Sequence, residues 1–265
     1  MVAEVLGVCR KLLYYQPKQL AKDHALANQI KAAHVDHPDY GQRRMALHLK
    51  VNHKRTERVM KARGIKPPRN RIRHHYCTVS VNTHRYTNLI KDIHPTEWVP
   101  HLIWVGDVSY FKYQGQFWYL VTILDLHTRQ VISSWVGKYH DSTLVFKALQ
   151  QAIQLTGHTP TYFHTDQGKE FMARVITTYL ELQGTRISVS DPASPWQNGY
   201  QESFFGRFKQ EFGDFNRFDT ASELIEAIYS QIHYYNYDRI HTTLKMPPVQ
   251  FARLFSDKLS HKRGT

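Results

Sequence analysis

The chain has 265 residues, of which 42% are hydrophobic, with a formal net charge of +13 and a pI near 9.7. That length accommodates one large domain or two ordinary ones with a real core, and the excess of positive charge points to a polyanionic partner, nucleic acid first. Two widely spaced cysteines speak against a disulfide framework, and no apolar run reaches membrane-spanning length or forms a signal peptide, so a cytoplasmic protein without a membrane partner is expected.

The charge is unevenly spread. Residues 1–98 hold 19 Lys/Arg against 7 Asp/Glu, a net of +12, while residues 99–265 hold 16 against 15, a net of +1. Two regions with two jobs are expected. The first reads as short helices. "MVAEVLGVCRKLLYY" carries apolar residues near one face and ends at Pro17, and "QLAKDHALANQIKAAHV" places Leu26, Ile30 and Ala33 at helical spacing. Met45 and Leu49 mark the next helix. Asn52 is a fitting N-cap for another, with Val59 and Met60 inward and Gly64 at its end. Two short helices joined by "VNH" have helix-turn-helix dimensions, and the second displays Lys54, Arg55, Arg58, Lys61 and Arg63 as candidate DNA contacts. The competing reading is a solvated basic face. Residues 1–65 are therefore assigned to a helical DNA-binding region. Residues 66–98 are assigned to a basic linker whose Arg69, Arg71 and Arg73 would track phosphates. His74, His75 and Cys77 lack the second half of a zinc site.

The pattern changes near residue 100. "HLIWVGDVSYF" and "QFWYLVTILD" are β-branched and aromatic, with "KYQGQ" as the turn between them, and "RQVISSWV" makes a third strand. A helix over about 142–155 closes at Gly157. A short strand "TYFHT", a helix around 169–183, a strand "RISVS" and a helix over about 201–212 follow. Thr220 and Glu223 form a capping box for the next helix, which reaches about Tyr235, and a short helix comes after Pro248. This order implies an α/β fold, a mixed five-stranded sheet with helices on both faces, spanning 99–256 and followed by a basic tail at 257–265.

Three acids stand at informative places: Asp107 in the first strand, Asp166 just after the fourth, and Glu202 at the start of the helix after the loop "SDPASPWQNGY". If the first and fourth strands lie side by side, the three meet at one end of the sheet. Clustered carboxylates repel one another unless a cation sits among them, and hard oxygen ligands suit Mg²⁺ or Mn²⁺. Two such ions serve phosphoryl transfer. Singly, each acid has a plain structural reading: a strand acid bonded to backbone, a helix cap, a first-turn glutamate. Asp125 also ends an apolar strand and is expected only to hold the turn to Arg129.

The acids and the words around them resemble a known group. "WVGDVSYF", "YLVTILDLHTRQVI", "FHTDQGKEF", "ASPWQNGYQESFFGRFKQE" and "YYNYDRIHTTLKMPP" are similar to the downstream-frame product of the insertion-sequence-three family of bacterial transposases, within the Asp-Asp-Glu retroviral-integrase superfamily. The 35 residues between Asp166 and Glu202 have that signature's spacing, and "DYGQRRMALHLKVNHKRTERVMKARGI" resembles the preceding helix-turn-helix. The resemblance implies a ribonuclease H-like integrase core, two Mg²⁺ ions (with Mn²⁺ able to substitute) held by Asp107, Asp166 and Glu202, and a Lys209 that meets DNA near the scissile phosphate. It implies cleavage at transposon ends followed by strand transfer into target DNA. It further implies a homo-oligomer on DNA, a nucleoid location in a bacterial cytoplasm, and an upstream-frame partner or fusion. In the loop, Trp196 would stack on an unpaired base or fold back on the sheet edge, Gln197 and Asn198 would bond a base or phosphate, and Arg239 would contact DNA or pack the last helices. The rival readings are a non-catalytic DNA-binding regulator, or fragment of a longer fusion, and a ribonuclease H-like nuclease without strand transfer.

Overall fold

The structure, a computed structural model, describes residues 2–5, 7–9, 11, 18–68, 86–191 and 198–263. It divides into two compact units, Met1–Pro68 and Arg69–Thr265. Arg69, Arg71, Arg73, Cys77, Trp196 and Gln197 lie outside the described residues. No described helix is long and apolar enough to cross a membrane.

The first unit is helical. Among its described opening residues, Val2–Val5 form a helical turn and Gly7 takes a positive φ. Helix α1 spans Lys18–Asp36, α2 Gln42–His48 and α3 His53–Ala62. Leu26, Ala27, Ile30, Tyr40, Met45, Val59 and Met60 are buried and supply its core. The Asn52 side chain accepts from the Lys54 and Arg55 backbone N–H groups, satisfying two of the donors that every helix start leaves open. The α2–α3 pair thus has the helix-turn-helix form read from the sequence.

The second unit is built on a five-stranded sheet of order β3-β2-β1-β4-β5. Its strands are β1 Ile103–Tyr113, β2 Gln116–Asp125, β3 Val131–Gly137, β4 Tyr162–Thr165 and β5 Arg186–Val189. The first three pair antiparallel, whereas β4 runs parallel to β1 and to β5. Gln114 and Gly115 both have positive φ, the primed two-residue turn whose twist suits a hairpin. Asp125 does hold its turn: it accepts from Thr128 N and Oγ1, and Arg129 takes φ 61.

Helices cover both faces. Helix α4 (Ser142–Thr156) is capped by Asp141 and closed by the left-handed Gly157. It packs with α5 (Lys169–Met172) and α6 (Arg174–Leu182) over Trp104, Val121, Ile123 and Phe163. On the other face, α7 (Gly199–Phe212) and α8 (Ala221–Tyr237) cover Val105, Phe111, Leu120 and Leu124, and α8 starts with the expected capping box. Helix α9 spans Pro248–Arg263.

Three expectations are corrected. The single helix at 169–183 is two, broken at the extended Ala173, and this turn lets Phe171 bury against Phe163. Residues 86–98 are not linker: Tyr86, Ile90, Ile93 and Trp98 pack on the core, because their apolar area is better removed from water. The expected tail at 257–265 is helical up to Arg263.

Candidate active site

The site is a notch in the sheet. Strand β1 pairs with β2 as far as Tyr113, but with β4 only over Ile103–Val105. Beyond Val105 its β4-side edge has no strand partner among the described residues. Asp107 stands on this free edge, and Asp166 follows the last residue of β4. Both line one cavity of about 110 Å³, together with Val108, Tyr110, Phe117, Tyr119, His140 and Glu170.

The two carboxylates are strained electrostatically. Asp107 Oδ1 accepts from Val108 N at 2.8 Å, and Asp166 Oδ1 from Gly168 N at 3.0 Å. Burial pushes the Asp107 carboxyl well above its ordinary value, and the charges of Asp166, Glu170 and Glu202 push it further. Burial also raises Asp166, opposed by the Gly168 N–H and reinforced by Glu170.

Glu170 is the residue that sequence reasoning missed. It is buried and bonds His140 Nε2 through Oε1 at 2.8 Å, which holds the imidazole above its ordinary pKa. His140 in turn stacks on Tyr119, with ring centres 4.9 Å apart. Gly168 makes this crowding possible: a Cβ there would stand 2.6 Å from Glu170 Oε1 and 2.9 Å from Asp166 Oδ1. The available signal was the spacing in "DQGKE", which sets a second acid one short turn beyond Asp166.

Glu202 is placed differently. It is exposed on the first turn of α7; its charge reaches Asp107, but it does not line the cavity. Among the described residues, no three His, Cys, Asp or Glu side chains stand close enough to hold a metal ion as they are. The structure therefore brings Asp107, Asp166 and Glu170 together, with Glu202 at the margin.

Helix α7 is anchored by its neighbours. Gln201 is fully buried. Its Nε2 donates to Val105 O at 2.7 Å and Thr122 O at 3.2 Å, and its Oε1 accepts from Thr122 Oγ1 at 3.0 Å. One turn of helix is thus bolted to the strand that carries Asp107. The Arg129 guanidinium lies 3.9 Å from the Tyr200 ring centre and 5.1 Å from that of Trp98, a cation–π clamp on the same turn. Two turns on, Lys209 Nζ donates to Tyr110 O at 2.9 Å. Desolvation lowers its pKa and the Asp107 charge raises it.

The expected DNA contacts divide. Lys54, Arg58, Lys61 and Arg63 are exposed on or just beyond α3 and Arg55 is half-buried, yet Arg55 and Arg58 both reach Asp23 of α1, at 3.2 and 2.6 Å. Asn198 is buried at the start of α7. Arg239 is a correction. It is 3% exposed and forks onto both Glu211 oxygens, so its charge is neutralised inside the fold and not offered to a phosphate.

Two family models of the integrase core domain match this chain, over residues 99–195 and 183–248. InsK of insertion sequence element IS150 from Escherichia coli strain K12 is 30% identical over 253 residues, covering 91% of this chain and 89% of that protein. The transposase for insertion sequence element IS904 of Lactococcus lactis subsp. lactis strain IL1403 is 28% identical over 86% of this chain and 92% of its own length. Among solved structures, the HTLV-2 integrase catalytic core domain in complex with magnesium superposes with a TM-score of 0.50 at 23% identity, covering 58% of this chain and 97% of that one. A simian T-cell lymphotropic virus intasome in complex with PP2A regulatory subunit B56 gamma gives 0.51 at 18% identity, over 86% and 74%. These last two likenesses show the integrase-core fold. The chain belongs to the bacterial insertion-sequence transposases of the Asp-Asp-Glu superfamily, fits their insertion-sequence-three family, and is a polynucleotidyl transferase.

Proposed function

We propose that this transposase cuts phosphodiester bonds at the ends of its element and joins the freed 3′ ends to target DNA, using Asp107, Asp166 and Glu202 to hold two divalent cations, Mg²⁺ by preference. The observation that carries the reading is the pair Asp107 and Asp166 in one cavity, both with raised carboxyl pKa values. Hard oxygen donors that repel one another suit a small hard cation, so the donor set fits the group. The HTLV-2 core, solved in complex with magnesium, supports the same choice. Bound there, such ions would neutralise charge at the phosphate and favour ionisation of the attacking oxygen.

The remaining work falls to the chain. Gln201 and the Arg129 clamp hold the first turn of α7, and with it Glu202, at the margin of the notch. Lys209, already beside Tyr110, places an ammonium near Asp107 for a phosphate of the cut strand. The basic face of α3, with Lys54, Lys61 and Arg63 outermost, holds DNA by its backbone charge.

The test is Mg²⁺-dependent nicking and joining of DNA carrying the element's ends, read on denaturing gels for wild type, Asp107→Asn, Asp166→Asn and Glu202→Gln. Wild type is expected to give both products and each variant neither, with DNA binding retained. Substantial cleavage by any variant removes that residue from the site. Specific binding without cleavage by wild type would make the chain a DNA-binding regulator.

A further inference from the structure

Five of the eight residues that line the notch cavity are not acidic. The β1–β2 register sets Tyr110 opposite Tyr119 and Lys112 opposite Phe117, so these four side chains share one face of the hairpin. Tyr110, Phe117 and Tyr119 all line the cavity that holds Asp107 and Asp166. Phe117 meets Tyr110 edge to face at 5.7 Å and is 44% exposed. Two ammonium groups stand over these rings: Lys112 Nζ is 5.1 Å from the Phe117 centre, and Lys209 Nζ 5.2 Å from that of Tyr110.

Carboxylates alone would repel a nucleic-acid strand. The exposed Phe117 ring at the same cavity offers a π face that any base can stack on, and the lysines supply the charge for its phosphate. A base inside a duplex has no free face for such a ring, so the fitting ligand is a single unstacked base. Where the strand that reaches Asp107 unpairs, the unpairing costs free energy that a stacking platform offsets. Resting on the reading proposed above, we propose that Phe117, with Tyr110 and Tyr119 beside it, forms a stacking subsite for one unpaired nucleotide next to the scissile phosphate.

The test uses the full chain in EDTA, so that no strand is cut. Two versions of a duplex carrying the element's end are compared, one fully paired and one unpaired beside the cleavage position and labelled there with 2-aminopurine. Wild type is expected to prefer the unpaired version and to quench its fluorescence. Phe117→Leu keeps apolar bulk but lacks a ring, and is expected to reduce that preference by about tenfold and abolish the quenching. Phe117→Trp is expected to restore both. Equal preference and equal quenching by wild type and Phe117→Leu overturn the subsite. If wild type cuts DNA with Mg²⁺ yet Phe117→Leu is indifferent, only the subsite fails. If wild type binds neither duplex, the transposase reading of the site fails with it.

Discussion

Asp107 is a group that the folded protein would rather keep protonated. Burial and the nearby acids raise its carboxyl well above the ordinary aspartate value, so the folded state holds its proton more tightly than the unfolded chain does. The stability from this group is complete below the unfolded pKa and is lost as pH rises through the folded one. Without cations, Asp107→Asn should therefore melt higher than wild type near neutrality and converge with it in acid, each kcal/mol appearing as about 2–4 °C. Adding Mg²⁺ should reverse the order, because only wild type gains the stabilisation of a bound ion. Thermal melts across pH, with and without Mg²⁺, check both limbs. A wild type indifferent to Mg²⁺ would count against the cation site. Asp107 and Asp166 were legible in the sequence because each sits at a strand in a distinctive word. Glu170 was not, since the bond from its carboxylate to His140 depends on how the chain returns between α4 and α5.

At the scale of elements, the proposed chemistry requires α7 to be held firmly against β1. The helix carries Glu202 on its exposed side, and its buried side is mostly phenylalanine, which sets depth but not register. Gln201 supplies register through bonds to Val105 and Thr122. In Gln201→Leu, Val105 O, Thr122 O and Thr122 Oγ1 lose their partner at about 1–3 kcal/mol each, so a stability loss of at least about 3 kcal/mol is expected. The catalytic rate should fall about 10- to 100-fold through misplacement of Glu202, with DNA affinity unchanged. Single-turnover cleavage alongside filter binding separates these effects. An equal fall in affinity, or an unaltered rate, would reduce Gln201 to ordinary packing. The strands and most helices of this unit follow from alternation, caps and turn glycines. The break at Ala173 does not, because both halves keep helical spacing and only the packing of Phe171 separates them.

At the scale of the whole molecule, charge and chemistry are partitioned. The net charge of +12 lies in residues 1–98 and the clustered acids in the remainder, so under the proposed function the part that grips DNA is not the part that cuts it. Composition made this division legible, but not which basic residues are available. Asp23 takes up two of the five on and near α3: it binds Arg55 and Arg58, and their guanidinium groups hold its carboxyl below the ordinary value. Lys54, Lys61 and Arg63 are the exposed cations left for phosphates. Each phosphate contact releases counterions and adds nearly one unit to the slope of log affinity against log salt. Replacing Lys54, Lys61 and Arg63 together by glutamine should thus flatten that slope by about 2–3 units without lowering the melting temperature. Arg55→Gln with Arg58→Gln should flatten it less and lower the melting temperature, because the buried Asp23 is then left without a cation. Titrations of element-end DNA at several salt concentrations, paired with melts, decide between them. A larger slope change from the arginine pair would mean that DNA displaces Asp23 from both arginines, and that Asp23 acts as a competitor for DNA at the surface of α3.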